Sequence, residues 1–590
     1  MANQNKTTFG KIMLASGVGF LIINAVMGIF FMIFLGIMIA ATSGAGGLKE
    51  KSVLVINLNK EIVEQQPDDF NLNLDFMGLS ATKLGLNRIL ETIKDAKNNE
   101  KIKGIYLDLD IVLASMSEIE EIRLALLEFK KSGKFVIAHA NNYSHSSYYL
   151  ATAADKIYMT PTGVFLWKGI SSETIFFKGL LQKIDVEPIV IRHGKFKAAI
   201  EPFILDSMSN ENKMQVYTMI SNYWNAYLDE ISKARNLKID DMNMYANKLL
   251  VNSSQKAVDY GFVDALKFKQ DVEEEMKEIL VVDKKNKLSA VSVSQYYEKA
   301  MNDKEFSDTE KNKIAIIYAE GQIVEGKSTD GNMGSQTIAK AINDAAMDDD
   351  VKAIVLRVNS PGGSALASEI MLNEIIKAKN IKPIVVSMGK YAASGGYYIS
   401  CMADYIFAEQ YTLTGSIGVF GLLFNIEKLL KNKLGINVQV VKTNTNADFG
   451  NLTRKMSKDE ELFFQAQIEE IYDIFITHVS EGRNISKEQV DSIGQGRIWT
   501  SSDALKLNLI DQIGTLDMAI DKAAELAKIS DYSLKEYPKV KPFWQNITEK
   551  YTDDSKIKKF GNFYDTYKHI EKLANITGAQ MLMPFEIEIK

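Results

Sequence analysis

The chain has 590 residues, 46% hydrophobic and 24% charged, which is enough apolar material for two or more cores. A net charge of −6 over that length leaves no polybasic face and speaks against nucleic acid as a partner. The five histidines (His139, His145, His193, His478, His569) fall at no metal-ligand spacing, so no metal or cofactor is expected. The single cysteine, Cys401, excludes an intramolecular disulfide.

Ile12 to Ala41 is a 30-residue run without a charge, longer than the ~20 residues that cross a bilayer core. A cleaved signal has a shorter apolar region. Lys6 and Lys11 precede the run and no acidic residue occurs before Glu50, which places the N-terminus on the cytoplasmic side. Residues 1–44 are thus expected to be a cytoplasmic stub and one transmembrane helix in the inner membrane, with the rest of the chain extracytoplasmic (periplasmic).

After the Gly-rich exit at Ala45–Lys51, β-branched runs alternate with helical patterns. Strands are expected at Val53–Leu58, Ile105–Leu109 and Phe135–Ala138, and helices at Leu86–Lys97 and Ile119–Lys131. The order returns with strands at Ile314–Tyr318, Ile354–Val358 and Ile384–Met388, and helices at Ser335–Ala346 and Ser364–Lys379. Such alternation implies βαβ units and a largely parallel α/β sheet. The return is a true repeat. Gly104–Leu109 matches Ala353–Val358, Tyr148–Ala151 matches Tyr397–Ser400, and Ala154–Ile157 matches Ala403–Ile406, all at an offset of 249. A period that long means two related domains, not a solenoid. The expected division is 51–280 for the first repeat, 281–311 for a linker with one helix around Tyr296–Asn302, 312–530 for the second repeat, and 531–590 for a helical appendage.

The two copies keep different motifs. Only the second has Asn359-Ser360-Pro361-Gly362-Gly363 and Ala392-Ala393-Ser394-Gly395-Gly396; only the first has Gly194-Lys195-Phe196-Lys197-Ala198-Ala199-Ile200-Glu201-Pro202-Phe203. Ser394 follows a buried strand and precedes Tyr397–Met402, which can begin a helix. Its flanking glycines let the backbone turn and let a carbonyl approach free N–H groups. Pro361-Gly362-Gly363 offers a second set of N–H donors for an oxyanion. A serine needs a base, and the histidines are poorly placed: His478 lies mid-helix, and His145 occupies the slot equivalent to Ser394. A lysine serves if burial depresses its pKa, and Lys197 is the candidate. Glu201, if close, would oppose that by favouring the charged amine.

These motifs, with Arg357-Val358, Tyr391, Tyr397-Tyr398 and Thr414-Gly415-Ser416-Ile417-Gly418-Val419, resemble the long, two-repeat form of the signal peptide peptidase A (protease IV) family of serine/lysine proteases. The resemblance implies two tandem crotonase/Clp-protease-like α/β domains behind the membrane helix. It also implies Ser394 as nucleophile, Lys197 as general base and Ser416 as the hydroxyl that orients the lysine. The oxyanion would be held by backbone N–H groups of Gly395, Gly362 and Gly363. In half-length relatives the lysine lies in a segment resembling Val440–Arg454, where this chain has Thr445, Asn446 and Ala447. The implied function is cleavage of released signal peptides within their apolar region by a homotetramer held on the lipid bilayer by one helix. Acyl-CoA chemistry on the same fold, or an inactive membrane scaffold, are the alternatives from other classes.

Overall fold

Strands with both faces covered need near-continuous apolar runs, and the chain supplies them twice. In the computed structural model, residues 19–20, 22–24, 26–30, 47–66, 83–301, 310–329, 331–539 and 579–583 are described. The first repeat forms a parallel sheet in the spatial order Ala265–Leu266, Lys156–Met159, Phe135–Ala140, Ile102–Asp108, Ser52–Asn57, Ala290–Ser292. Helices Leu86–Asn98 and Met116–Lys130 bury Ile89, Ile93, Ile119 and Ile122 against one face, and Val272 and Met276 of helix Lys269–Ile279 cover the other.

The second repeat follows the same order: Gln512–Ile513, Tyr405–Ala408, Ile384–Ala393, Val351–Ser360, Lys313–Glu320, Ser533–Tyr537. Beyond Ile384–Ala393 its sheet also forks to Leu413–Gly415 and the antiparallel Ile498–Thr500. Two helices of 26 residues, Asn210–Arg235 and Lys458–Arg483, confirm the duplication. Each is capped by a serine side chain (Ser209, Ser457) and ends on a left-handed asparagine (Asn236, Asn484). Arg235 and Arg483, on the last turns, each pair with the aspartate of their own repeat, Asp264 at 3.0 Å and Asp511 at 2.7 Å.

Two boundaries differ from expectation. Residues 281–311 contain Ala290–Ser292, an edge strand parallel to Ser52–Asn57, followed by helical turns at Val293–Met301. The segment expected as a helical appendage instead contributes strand Ser533–Tyr537, in the equivalent place beside Lys313–Glu320. Its other described piece, Gln580–Leu582, is also a strand. Runs of three to five residues carry too little periodicity to be told from a linker. The rest of 540–590 lies outside the described residues, as does most of Ile12–Ala41. Among the described residues no helix is long and apolar enough to cross a membrane.

A third sheet joins the repeats. Its order is Asn332–Gly334, Gln322–Val324, Gly362–Ser364, Gln580–Leu582, Phe420–Asn425, Glu187–Arg192. The last strand comes from the first repeat and runs antiparallel to Phe420–Asn425, from Arg192 opposite Phe420 to Glu187 opposite Asn425.

Candidate active site

Ser394 stands between strand Ile384–Ala393 and the short helix Gly395–Tyr398, a turn tight enough to force φ 55° and ψ −113° on a non-glycine residue. Such a conformation costs of order 1–3 kcal/mol and persists only where neighbours over-determine it. Here the Ser394 N–H donates to Gly415 O at 2.8 Å, and the Tyr398 N–H donates back to Ser394 O at 2.8 Å. The Gly395 amide is the first of the helix and has no acceptor within it. It faces Gly362, whose φ is 100°. A side chain there would come within 2.8 Å of the Gly395 nitrogen and would also strike Met581 O, so glycine keeps the cradle open. The Gly362 N–H, expected as an oxyanion donor, is given to Ser360 Oγ at 3.2 Å. Ser360 Oγ donates in turn to Gly321 O at 2.7 Å, fixing the strip that leads to Gly363.

Lys197 reaches this serine because the cross-repeat strand delivers it. Directly after Arg192, the His193 N–H donates to Val419 O at 3.1 Å and the Phe196 N–H to Gln495 O at 3.0 Å, seating the loop against Gly494–Arg497. Gly496 has φ 83°, and a Cβ there would lie 2.6 Å from the Lys197 Cβ, so the approach needs a glycine. The Lys197 Nζ then lies 2.7 Å from Ser394 Oγ, 3.0 Å from Ser416 O and 3.0 Å from Ser416 Oγ. All three side chains are fully buried. Burial alone pushes the amine well below the ordinary lysine range. A neutral amine has two N–H donors and one lone pair. With the amine neutral, its two donors would match the Ser416 oxygens and its lone pair would face the Ser394 hydroxyl.

Glu201 does not oppose this. Its carboxylate turns to the start of helix Asn210–Arg235, accepting from Ser209 Oγ at 2.5 Å and from Asn212 Nδ2 at 2.9 Å. His145 is sealed among Trp167, Trp224 and Tyr227, with burial lowering its pKa to about 4. His478 lies in helix Lys458–Arg483 beside Glu369, 3.5 Å away. Lys442 is occupied by Asp448 at 2.9 Å. Sequence reasoning missed Ser360, although it lies inside a quoted motif, and it missed Gly494-Gln495-Gly496, whose spacing between a helix and a strand was the available signal.

It also missed what ties the repeats together beneath the site. Arg357, fully buried, pairs with Glu64 at 2.9 Å and Glu121 at 3.1 Å from the first repeat and with Glu409 at 2.6 Å from its own. Glu64 Oε1 accepts from Asn359 Nδ2 at 3.0 Å, and Asn359 Oδ1 accepts the Tyr391 N–H at 3.3 Å, three residues before Ser394. Glu64 is thus linked through the Asn359 side chain to the backbone of the strand that leads into Ser394.

A serine hydroxyl on a strained turn, a fully buried lysine amine against it and an amide cradle beside it fit hydrolytic chemistry of the serine peptidase class. The comparisons agree. The family model "Peptidase family S49" matches twice, over residues 128–283 and 376–530. Protease 4 of Haemophilus influenzae is 34% identical over 537 residues, covering 87% of both chains. Protease 4 of Salmonella typhi is 37% identical over 526 residues, covering 86% of this chain and 84% of its own. The chloroplastic serine protease SPPA of Arabidopsis thaliana is 32% identical over 490 residues, covering 82% and 70%. The chain belongs to peptidase family S49 and is a serine peptidase built from two copies of that family's domain.

Proposed function

We propose that the protein is a membrane-anchored serine endopeptidase with a Ser/Lys dyad. Ser394 is the nucleophile, Lys197 the general base, and Ser416 the residue that orients the amine. The observation that carries this is the 2.7 Å contact between a fully buried lysine amine and Ser394 Oγ. The amine takes the hydroxyl proton as Oγ attacks a peptide carbonyl. The oxyanion is held by the Gly395 amide, with Gly363 as the second donor, and the protonated amine then gives its proton to the leaving nitrogen. Water, activated by the same amine, releases the acyl group.

Released signal peptides, cut within their apolar region, are the proposed substrates, and the resemblance to signal peptide peptidases supports them. The uncharged run Ile12–Ala41 supports anchorage in the inner membrane with the repeats on the extracytoplasmic side. The resemblance to that family supports a homotetramer, and the exposed Leu434, Ile436, Val438 and Val440 offer apolar surface for contact between copies. Labelling with a serine-directed fluorophosphonate tests the reading: the wild type is labelled and cleaves peptide, and Ser394→Ala and Lys197→Ala do neither. Peptide cleavage that survives in Ser394→Ala would overturn it.

A further inference from the structure

Glu201 belongs to the motif that carries Lys197, yet its carboxylate is turned away from the reacting groups. It is 2% exposed and accepts from the Ser209 hydroxyl at 2.5 Å, the Ser209 N–H at 3.2 Å and Asn212 Nδ2 at 2.9 Å. The line of contacts continues inward. Asn212 Oδ1 accepts from Gln215 Nε2 at 3.3 Å, and Gln215 Oε1 accepts the Ile498 N–H at 3.1 Å. Asn212 and Gln215 are each 3% exposed and lie on the buried face of helix Asn210–Arg235. Amide side chains thus lead from the lysine loop, through the interior, to a backbone N–H of the second repeat.

That N–H has a particular place. Ile498 opens strand Ile498–Thr500 and stands opposite Gly415. The residue before it, Arg497, takes the Ser416 N–H on its carbonyl at 2.7 Å, and the Gly496 carbonyl takes the Ser416 hydroxyl at 3.4 Å. The Gly496 N–H donates in return to Ile417 O at 2.6 Å. Ser416 has φ 50°, a left-handed conformation that a serine holds only where its neighbours impose it. Gly496–Ile498 is that neighbour, and Gln215 holds it from the first-repeat side. Ser416 faces the Lys197 amine with two oxygens, so the amine and its acceptors are the two ends of one closed circuit through Glu201, Asn212, Gln215 and Ile498. The sister helix Lys458–Arg483 is equally long and equally capped, but it sets Glu460 and Phe463 where Asn212 and Gln215 stand, and Phe463 is 51% exposed. Of the two repeats, the one that supplies the lysine is the one with the amides.

We propose that Gln215 is a positioning residue of the peptidase site: its amide holds the Ile498 N–H, and through it the strained Ser416, where the Lys197 amine needs its acceptors. The proposal rests on the reading of Lys197 as base and Ser416 as the residue that orients it. A carboxamide suits the place because it donates from one end and accepts at the other. Without it a buried N–H is left unpaired, and the readiest relief is a shift of Gly496–Ile498 that carries Ser416 along. A misplacement of about 1 Å at a catalytic group costs up to about 10²-fold in rate.

The test uses the full chain with Gln215→Met, which keeps the reach of the side chain and loses the amide, with Ser416→Ala, and with both. Gln215→Met should lower kcat for a peptide substrate roughly ten- to a hundredfold and leave KM unchanged. Added to Ser416→Ala it should cost nothing further, because the residue it acts through is already gone. Gln215→Glu, which keeps an acceptor for the Ile498 N–H, should recover most of the lost kcat. Asn222→Ala is the control: Asn222 ties the same helix to Thr500 Oγ1 at 3.0 Å and Asp503 Oδ2 at 2.8 Å, further along the same strand, and its loss should leave kcat unchanged. Losses that multiply in the double variant, an equal fall in Asn222→Ala, no recovery in Gln215→Glu, or a wild-type kcat in Gln215→Met would each overturn the proposal and leave the dyad standing. So would loss of the folded circular dichroism signal in both Gln215 variants, because the amide would then be a contact of the core. A wild-type kcat in Ser416→Ala would instead remove the orienting role of Ser416, and this inference with it.

Discussion

A lysine works as a base near neutral pH only if its surroundings refuse its charge, and Lys197 is refused by burial, with no carboxylate beside it. The sign of the linkage follows. The folded amine gives up its proton below the ordinary lysine value, so between the two values the unfolded chain binds more protons and stability rises with pH. Lys197→Met keeps the apolar stem and removes the amine. Its kcat/KM should fall by about 10²–10⁴-fold, the usual contribution of a general base. Urea denaturation should show it more stable than wild type at pH 7, with the gap closing toward pH 10. A variant less stable than wild type at pH 7 would mean that the amine is charged in the fold. Much of this site was legible from residue types: a serine between glycines in one copy and an unmatched lysine in the other. Ser360 was not, because a hydroxyl that braces a turn has no pattern of its own.

The element that matters most is strand Glu187–Arg192, since its pairing with Phe420–Asn425 is what sets Lys197 in front of Ser394. Ile191 is buried and lies opposite Gly421. Ile191→Pro removes a backbone N–H and fixes φ inside a paired strand. The expected outcome is loss of fluorophosphonate labelling with most of the circular dichroism intact, because both parallel sheets lie outside the pairing. Labelling at the wild-type rate would show that the strand does not position the lysine. The βαβ order was readable because runs such as Ile354–Val358 and helices such as Ser335–Met347 are long enough to show their period. Ala290–Ser292, Ser533–Tyr537 and Gln580–Leu582 were not readable as strands. At three to five residues, what defines them is their neighbours across the sheet. The antiparallel crossing between repeats was equally hidden, since strand partners are chosen by geometry far away in sequence.

At the scale of the whole molecule, the repeats are joined through buried acids as well as through the shared sheet. Around Arg357, burial raises Glu64 and Glu409 despite the arginine's opposing pull, and nearby it raises Glu118 to about 7 and Glu320 to about 8. Glu320 Oε2 accepts the Glu64 N–H at 3.2 Å across the repeat boundary. A carboxyl whose pKa is raised on folding adds stability that is full below its unfolded value, near 4.5, and is lost as pH climbs through about 8. Glu320→Gln should therefore become more stable relative to wild type between pH 5 and pH 9, as measured by urea denaturation. A difference constant across that range would show that Glu320 ionises normally. The division of the chemistry between the repeats has a further consequence for the cell that makes the protein. A ribosome finishes the lysine-bearing half long before the serine exists, and in water that amine stays protonated and inert. On the proposed Ser394/Lys197 dyad only the docked pair strips the proton, so an unfinished or misfolded chain would stay inert until it assembles correctly.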